Sequence, residues 1–498
     1  MPPIGAPDLR VRTTAGRWVL LATVLGSGLT MLDATVVNVA LPTIGRDLST
    51  TFSSLQWVVN GYTVTLAGFL LLGGALGDRY GRRRVFLTGV AWFATASLLC
   101  AIAPSATTLI AARALQGVGA ALLAPGSLAI LQASFAREDR AAAIGAWSGL
   151  GGVMAAIGPF VGGWLVQAAS WRWIFLLNIP FALTVLMVAS RHIPETRDDH
   201  APPGLDVTGA VLTAAGLGGL IYALTEGAER GWTSPAVAGA GLAGLACLVA
   251  FVSVERRSRH PLVPLTIFKN RQFSAANLVT FAVYAALGGA LFLLPIQLQT
   301  VVGFSPLGSG TALLPLTLIM LTGSARAGRL ATRIGPRLPM TLGPIIAGGG
   351  LVLMAQIGPT STYVTSVLPA VVVFAVGLAL TVAPLTATVL GAVEDEHAGV
   401  ASAVNSDVAR AAGLIAIAVL PVLAGIRNGD FANAARFSGG FHTAMLVAGA
   451  LLVAGGLLAY ATIRRPLVGP PELEREAAPA FHCALDAPPS FVDAPTGS

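Results

Sequence analysis

Long apolar stretches separated by short polar ones run through the chain. A transmembrane helix needs about 20 consecutive apolar residues, and stretches of this length recur along the sequence. They predict an all-α polytopic membrane protein with fourteen spans. The predicted spans are residues 18–40, 56–77, 85–103, 107–131, 141–167, 172–190, 207–226, 236–254, 274–297, 308–327, 338–357, 364–390, 400–425 and 441–463.

Composition supports the lipid bilayer as the surroundings of this chain. Of its 498 residues, 55% are hydrophobic and 11% are charged, so a water-soluble fold could not cover its surface with polar groups. The first span is too long for a signal peptide and has no small-residue cleavage pattern, so we expect it to be retained. The scattered cysteines predict neither a disulfide framework nor a metal site.

Basic residues are divided unequally between the two sides of the predicted membrane. When residues 1–17 are placed in the cytoplasm, most of the 30 basic residues fall in inner loops and tails. This asymmetry predicts an even number of spans in the plasma (inner) membrane, with both termini in the cytoplasm. It also accounts for the net charge of +7 without nucleic acid, which we exclude as a partner.

Two parts of the chain repeat each other. GALGDRYG at 74–81 and GRLATRIG at 328–335 share Gly, Leu, Arg and Gly in register, and AP recurs at 124–125 and 383–384. Paired halves around a midplane site are the architecture of secondary transporters. The predicted organisation is a cytoplasmic segment at 1–17, a six-helix bundle at 18–190, two inserted helices at 207–254, a second six-helix bundle at 274–463 and a disordered cytoplasmic tail at 464–498.

The densest motif, GALGDRYGRRR, runs from Gly74 to Arg84 in a predicted inner loop. It resembles the G-x-L-x-D-R-x-G-R-R signature of the major facilitator superfamily, in which a charge cluster at this loop holds one alternating-access state. The alternative is simple anchoring by positive charge, which requires the arginines but neither the aspartate nor the glycine spacing. The residues to which the resemblance gives a gating role are Gly74, Asp78, Arg79, Gly81 and Arg82.

Three polar residues interrupt apolar spans. Asp33 lies in TMLDATVVNVALP at 30–42, and Arg113 and Gln116 lie in LIAARALQGVGAA at 109–121, which resembles the superfamily's fourth-helix motif for proton transfer. A charge at the centre of a span costs about 2.5 to 3.5 kcal/mol unless it is paired or hydrated. Counted from the predicted helix ends, Asp33 and Arg113 are both about 10 Å deep. Since the first and fourth helices pack together in the fold that the sequence resembles, we expect the two residues to pair, directly or through water. The alternatives are a hydrogen-bonded structural aspartate and a purely structural arginine.

The fifth span reads GAWSGLGGVMAAIGPFVGG at 145–163 and resembles the motif that separates antiporters from symporters in the superfamily. Glycine and proline together make a closely packed helix that can bend. Met154 stands where a glycine is usual, and ordinary membrane packing also explains isolated glycines. The residues that match the motif are Gly145, Gly158, Pro159, Gly162 and Gly163.

Further stretches narrow the resemblance to one branch of the superfamily. LDATVVNVALP, WRWIFLLNIP, LPIQLQTVVGFSPLGSGTALLP and HAGVASAVNSDVARAAG resemble the fourteen-span drug/proton antiporters of the EmrB/QacA-like branch. Members that export dications carry extra carboxylates in the tenth and thirteenth spans. In this chain the thirteenth span offers a secondary polar site of Asn405, Asp407 and Arg410. Since Asp407 and Arg410 at i, i+3 can neutralise each other, a second free cation site is not expected.

Other chemistries lack their motifs. The chain has no G-x-x-x-x-G-K-[ST] loop, and its histidines fall in loops, the tail or a helix end, so we expect no ATP-driven pumping, no enzyme activity, no metal and no other cofactor. HIPETRDDH at 192–200 is interpreted as a solvated loop. Aromatic residues could stack on a planar substrate, although packing explains them as well. The candidate aromatic pocket consists of Trp57, Tyr62 and Tyr284.

These features and resemblances predict a monomeric, proton-coupled antiporter that exports small amphipathic organic compounds such as drugs or antibiotics. A carboxylate in a low-dielectric cavity can take a proton from outside and release it toward the cytoplasm, and Asp33 is expected to do so. One alternative is a dedicated exporter of one endogenous secondary metabolite. The preference for arginine over lysine indicates a GC-rich genome, which is compatible with this alternative. The other is a non-transporting membrane sensor of the same fold.

Overall fold

The structure, a computed structural model, describes residues 9–198, 204–258, 265–394 and 398–463. The predicted tail at 464–498 and the first eight residues of the chain therefore lie outside the described residues. Within the described part, fourteen helical segments are long and apolar enough to cross a membrane, which confirms the predicted number of spans.

Sixteen helices in the described part of the chain build these spans. The helices are α1 Thr14–Asp47, α2 Phe52–Tyr80, α3 Arg82–Ala101, α4 Ala106–Ser134, α5 Arg137–Ala168, α6 Trp173–Leu176, α7 Asn178–His192, α8 Val207–Arg230, α9 Pro235–Arg257, α10 Arg271–Thr300, α11 Pro306–Ala312, α12 Leu314–Ile334, α13 Arg337–Ala355, α14 Leu368–Leu390, α15 Ala398–Leu423 and α16 Ala434–Thr462. A π-helical turn at Tyr363–Val367 leads directly into α14.

The predicted spans mark the centres of these helices and miss their ends. α1 extends beyond the predicted range 18–40 on both sides. Hydropathy detects the part of a helix that lies in hydrocarbon, whereas polar caps extend the helix toward water. At the start of α1, for example, the Thr13 hydroxyl accepts a hydrogen bond from the Gly16 N–H.

Two of the spans are broken rather than continuous. The sixth divides at Leu177, between α6 and α7, and the tenth divides at Leu313, between α11 and α12. A proline follows closely in each case, at Pro180 and Pro315. Since proline lacks the N–H that would bond to the preceding turn, it favours a break at these places.

Two groups of helices and one inserted pair make up the bundle. α1 to α7 pack among themselves, α10 to α16 do the same, and α8 packs on α9, α2 and α15. The two groups meet where α1 contacts α10, α2 contacts α15, and α5 contacts α11 and α12. The predicted fold class, two six-span bundles with two inserted helices, is therefore confirmed.

The ends of the bundle differ, and we call them the Asp47 face and the Asp78 face after residues at the ends of α1 and α2. Toward the Asp47 face, side-chain amides join the two groups. Gln56 donates to the carbonyl of Ile417 at 2.6 Å, and Gln299 donates to the carbonyl of Val39 at 2.8 Å. These contacts close the interface at this end.

At the Asp78 face the two groups enclose a cavity of about 450 Å³. α2, α4 and α15 line this cavity, together with residues 204–206, which lead into α8. The interface between the two groups is therefore packed toward one face and hollow toward the other.

Candidate functional site

Asp33 of α1 lies at the centre of a hydrogen-bond network. Its Oδ2 accepts from Arg113 Nη1 at 2.5 Å, and its Oδ1 accepts from Gln116 Nε2 at 2.9 Å and from Asn178 Nδ2 at 3.0 Å. Arg113 Nη1 also donates to Gln116 Oε1 at 2.7 Å. The structure therefore brings together the three polar residues that interrupt the first and fourth spans, and it adds a fourth from α7.

The helix end from which the depth of Asp33 was counted is misplaced, although its predicted partner is right. α1 continues to Asp47, so Asp33 lies about 21 Å from the end of its helix, whereas Arg113 lies about 10 Å from Ala106, the first residue of α4. The two side chains meet because α1 projects further toward the Asp47 face than α4 does.

The network excludes water almost completely, since each of its four side chains is at most 1% exposed. Arg113 is held on two more sides: its Nε donates to the Val58 carbonyl at 3.1 Å, and its guanidinium lies 4.3 Å from the ring centre of Tyr62. The attraction between the two opposite charges and their several hydrogen bonds offset the free-energy cost of removing both charges from water. Removing either charge would leave the other buried without a partner.

Asn178 is a member of the network that sequence reasoning missed. Its Nδ2 donates to Ser97 Oγ at 3.0 Å as well as to Asp33, and Ser97 in turn donates to the Phe175 carbonyl at 2.9 Å. The sequence did contain a signal for Asn178, because a polar amide inside the apolar stretch WRWIFLLNIP is costly to bury, as a carboxylate is. It was weaker, because a neutral amide costs less to bury than a charge.

The gating motif forms the end of α2 and the start of α3. Asp78 Oδ1 accepts from Nε and Nη2 of Arg82, both at 2.8 Å. Gly81, at the turn between the helices, has φ of +109°, a left-handed conformation that strains any residue with a side chain. The glycine spacing of the motif thus has a structural cause that positive-charge anchoring would not require.

Two more residues of the motif flank this turn. Gly74 lies against α4, where a Cβ added to it would be 3.6 Å from the side chain of Pro125. The guanidinium of Arg79 lies 5.5 Å from the ring centre of its neighbour Tyr80. Gly74 and the Asp78–Arg82 pair all line the cavity at the Asp78 face.

The segment that follows α7, residues 193–198, is bound to the same turn. Glu195 accepts hydrogen bonds from the backbone N–H groups of Arg83 and Arg84 at 3.0 and 3.2 Å. The backbone of residues 196 and 198 makes two further hydrogen bonds to the turn, at 2.8 and 2.9 Å. Residues 193–198 therefore form a loop with several exposed side chains, as interpreted, but this loop is fixed to the turn. The last two residues of HIPETRDDH lie outside the described ranges.

The glycines of the fifth span lie where α5 passes between the two groups of helices. A Cβ added at Gly158 or Gly162 would press against atoms of α1, and one added at Gly163 would clash with a backbone oxygen of α11. Pro159 is buried in the same stretch. Gly145, by contrast, has open space around it. The cluster from Gly158 to Gly163 is what allows the close helix approach.

The secondary polar residues lie midway along α15. Asn405 Oδ1 accepts from the Thr280 hydroxyl of α10 at 2.7 Å. Asp407 Oδ1 and Arg410 Nη1 are 3.8 Å apart, within ion-pair range but too far apart for a hydrogen bond. Among the described residues, neither of these two atoms has a hydrogen-bond partner.

The three residues of the predicted aromatic pocket pack against three different hydrophobic clusters. Trp57 packs with α8 and α15, where its ring lies 6.3 Å from that of Tyr222. Tyr62 belongs to a second hydrophobic cluster and faces Arg113, and Tyr284 packs against a third. Helical spacing alone does not determine which neighbour a side chain meets, and a shared pocket stays a prediction.

Comparison with known proteins agrees with this geometry. The family model of the Major Facilitator Superfamily matches residues 23–418. The puromycin resistance protein pur8 of Streptomyces alboniger is 36% identical over 407 residues, which are 81% of this chain and 80% of that protein. The tetracenomycin C resistance and export protein of Streptomyces glaucescens is 34% identical over 412 residues, 82% and 76% of the two chains.

A solved structure shares the fold. It is the bacterial homolog of the human lysosomal transporter Spinster, in an inward-facing and unoccupied conformation, with a TM-score of 0.66. The match covers 90% of this chain and 97% of that chain at 17% sequence identity.

Proposed function

Since the chain belongs to the major facilitator superfamily, we propose that this multi-pass membrane protein is a proton-coupled antiporter that exports amphipathic organic compounds such as antibiotics. The buried Asp33–Arg113 pair is the observation that carries the proposal. Two relatives, named for puromycin resistance and for tetracenomycin C resistance and export, support the substrate class.

Proton binding at Asp33 changes the balance of charge inside the first group of helices. A protonated Asp33 no longer neutralises Arg113, and the guanidinium is then buried without a counter-ion. The protonated protein therefore favours a different arrangement of α1 against α4, in which Arg113 finds water or another partner. Release of the proton restores the pair. Protonation is linked in this way to a conformational change, which is what coupled transport requires.

The basic residues of the sequence assign the Asp78 face to the cytoplasm, with both termini on that side of the plasma membrane. The cavity at this face then receives substrate from inside the cell, while the packed Asp47 face is closed to the outside. Each proton that enters down a potential of 100 mV supplies about 2.3 kcal/mol, enough for roughly a fifty-fold concentration ratio. The protein acts as a monomer, without enzyme activity and without a cofactor.

The turn at Asp78 controls the cavity in this proposal. The Asp78–Arg82 pair and the α2 glycines form part of its wall, and Glu195 fixes the first turn of α3. All these contacts lie within the first group of helices, so they hold this part of the cavity wall in a fixed shape when the two groups move against each other.

A second candidate is the export of one endogenous secondary metabolite instead of many drugs. The observation that favours it is that each of the two relatives is named for a single antibiotic. The two candidates share one mechanism and differ in the breadth of compounds that the cavity accepts.

The decisive experiment measures export by cells that produce the wild type, Asp33→Asn or Asp47→Asn, with puromycin, tetracenomycin C and a panel of unrelated amphipathic dyes. Asp47 is the matched control, because it lies on the same helix and its side chain is 49% exposed. We expect Asp33→Asn to abolish proton-coupled export while the protein stays in the membrane, and Asp47→Asn to retain most of it.

A protonophore separates the driving force from the binding step. Export by the wild type should cease when it is added, and Asp33→Asn should show the same low export with or without it. Coupled export that persists in Asp33→Asn would contradict the proposal. A panel in which one compound alone is exported would favour the dedicated exporter.

A further inference from the structure

Residues of α15 at spacings of 3, 4, 3 and 4 share one face of that helix. The five residues are Val400, Ala403, Asp407, Arg410 and Leu414. Val400 and Ala403 line the cavity at the Asp78 face, and Leu414 packs against α2. Since a helix rises 1.5 Å per residue, Asp407 lies about 6 Å deeper than Ala403 on the same stripe. The charged pair therefore continues the cavity wall up to the point where the two groups of helices close.

The polar groups of this pair are incomplete. Asp407 Oδ1 and Arg410 Nη1 are buried and, within the described ranges, have no hydrogen-bond partner. Buried polar atoms are nearly always hydrogen-bonded, so two adjacent exceptions indicate a place for a group that is not part of the chain. The two side chains are also 22% and 31% exposed, so a ligand in the interface can reach them.

The spacing of the two atoms selects the kind of group that fits. A single oxygen about 2.8 Å from each would accept from the guanidinium and donate to the carboxylate. A hydroxyl does both, and a primary amide does so with its oxygen and nitrogen. Because the pair has no net charge, it offers neither a permanent cation nor a permanent anion a net attraction.

We propose that Asp407 and Arg410 form a dipolar subsite that binds an uncharged hydroxyl or primary amide of the transported compound and selects against permanently charged ones. The inference rests on the proposed export function only in naming the ligand as the transported compound. Asp33 cannot serve this purpose in the arrangement observed, because its carboxylate is sealed among protein donors. The second group of helices thus supplies polar recognition that the first does not.

The test removes the partner of each charge in turn in the purified full-length protein. Arg410→Gln leaves Asp407 without its partner and should bind ethidium, a permanent cation, at least about fivefold more tightly than the wild type, since unit charges 4 Å apart attract that strongly even in water. Asp407→Asn should show the mirror gain for fluorescein, an organic anion. Binding is followed by fluorescence at a pH of about 8.5, well above the ordinary range of a carboxyl group.

The controls show whether a gain in affinity comes from the Asp407–Arg410 pair. The double variant Asp407→Asn/Arg410→Gln should lose both gains, and Arg436→Gln, which removes a 74% exposed arginine, should show neither. If Arg410→Gln fails to fold, fluorescein binding by Asp407→Asn still tests the proposal. Unchanged affinities in both single variants, or a gain that persists in the double variant, would overturn the proposal.

A third arm tests the hydroxyl itself. The wild type should bind 2-(hydroxymethyl)anthraquinone more tightly than its methyl ether, and the double variant should not distinguish them. Equal affinities in the wild type would overturn the hydroxyl assignment. All three measurements are of equilibrium binding. Their outcome therefore does not depend on whether the wild type couples export to protons.

Discussion

Two charge pairs inside the helical bundle are built in opposite ways. Asp33 and Arg113, from different helices, are 1% exposed and directly hydrogen-bonded to each other, with Asn178 and Gln116 adding donors to Asp33. Asp407 and Arg410 come from one helix and stand 3.8 Å apart. The first pair is complete within the protein and is suited to a switch that opens when a proton binds. The second is incomplete and is suited to a ligand.

The largest expected effect separates the two pairs by stability. Arg113→Ala should lower the free energy of unfolding by about 3–5 kcal/mol, because it leaves a buried carboxylate uncompensated. Arg410→Ala should lower it by about 1 kcal/mol or less, since this pair is partly exposed and its two closest atoms are too far apart for a hydrogen bond. Thermal unfolding of the two variants in the same detergent measures the difference, and equal losses would show that the two pairs are held equally firmly.

A double-mutant cycle sharpens the same comparison. Asp33→Asn combined with Arg113→Gln should be less destabilised than the sum of the single changes by about 1–3 kcal/mol, because removing both charges leaves none unpaired. The corresponding cycle at Asp407 and Arg410 should give a coupling of roughly 0–1 kcal/mol. A large coupling in the second cycle would mean that this pair is closed in solution, and it would contradict the subsite.

How far the sequence predicts this molecule depends on how strong each signal is. The fourteen spans and the polar residues Asp33, Arg113 and Gln116 were predictable, because a charge in an apolar stretch is energetically conspicuous. Their contact was predictable from approximate depth together with the helix packing that the resemblance implies, even though the end of α1 was misplaced. The turn at Asp78 was predictable from its residues alone, because they resemble a known motif.

The rest depended on contacts between distant segments, which no local pattern encodes. No local pattern around Glu195 indicates that the segment after α7 folds back on the start of α3. Trp57 and Tyr62 lie on one helix, yet they pack against different hydrophobic clusters. The gap between Asp407 and Arg410 was hidden for the opposite reason, because an i, i+3 spacing suggests a closed pair.

Removing the amide beside the first pair, Asn178, should destabilise the protein more than removing the amide beside the second, Asn405. Asn178→Ala removes a donor to Asp33 and to Ser97, and we expect a loss of about 1–3 kcal/mol because a buried charged group loses a hydrogen bond. Asn405→Ala removes one hydrogen bond with Thr280 and should cost about 0.5–1.5 kcal/mol. Unfolding midpoints compared at one detergent concentration give the order, and the reverse order would weaken the view that the first pair is the more tightly held.

Tyr62→Phe should produce the smallest effect, and its comparison with Tyr62→Leu reveals how Arg113 is held. The Tyr62 hydroxyl is buried and has no hydrogen-bond partner within the described ranges, whereas the ring lies under the guanidinium at 4.3 Å. Tyr62→Phe keeps the ring and should change the free energy of unfolding by no more than about 0.5 kcal/mol. Tyr62→Leu removes the aromatic face and should cost about 1–2 kcal/mol more, the strength of a desolvated cation–π contact. If Phe destabilised as much as Leu, the hydroxyl would have a partner in solution, and Arg113 would depend on that polar contact instead of the ring.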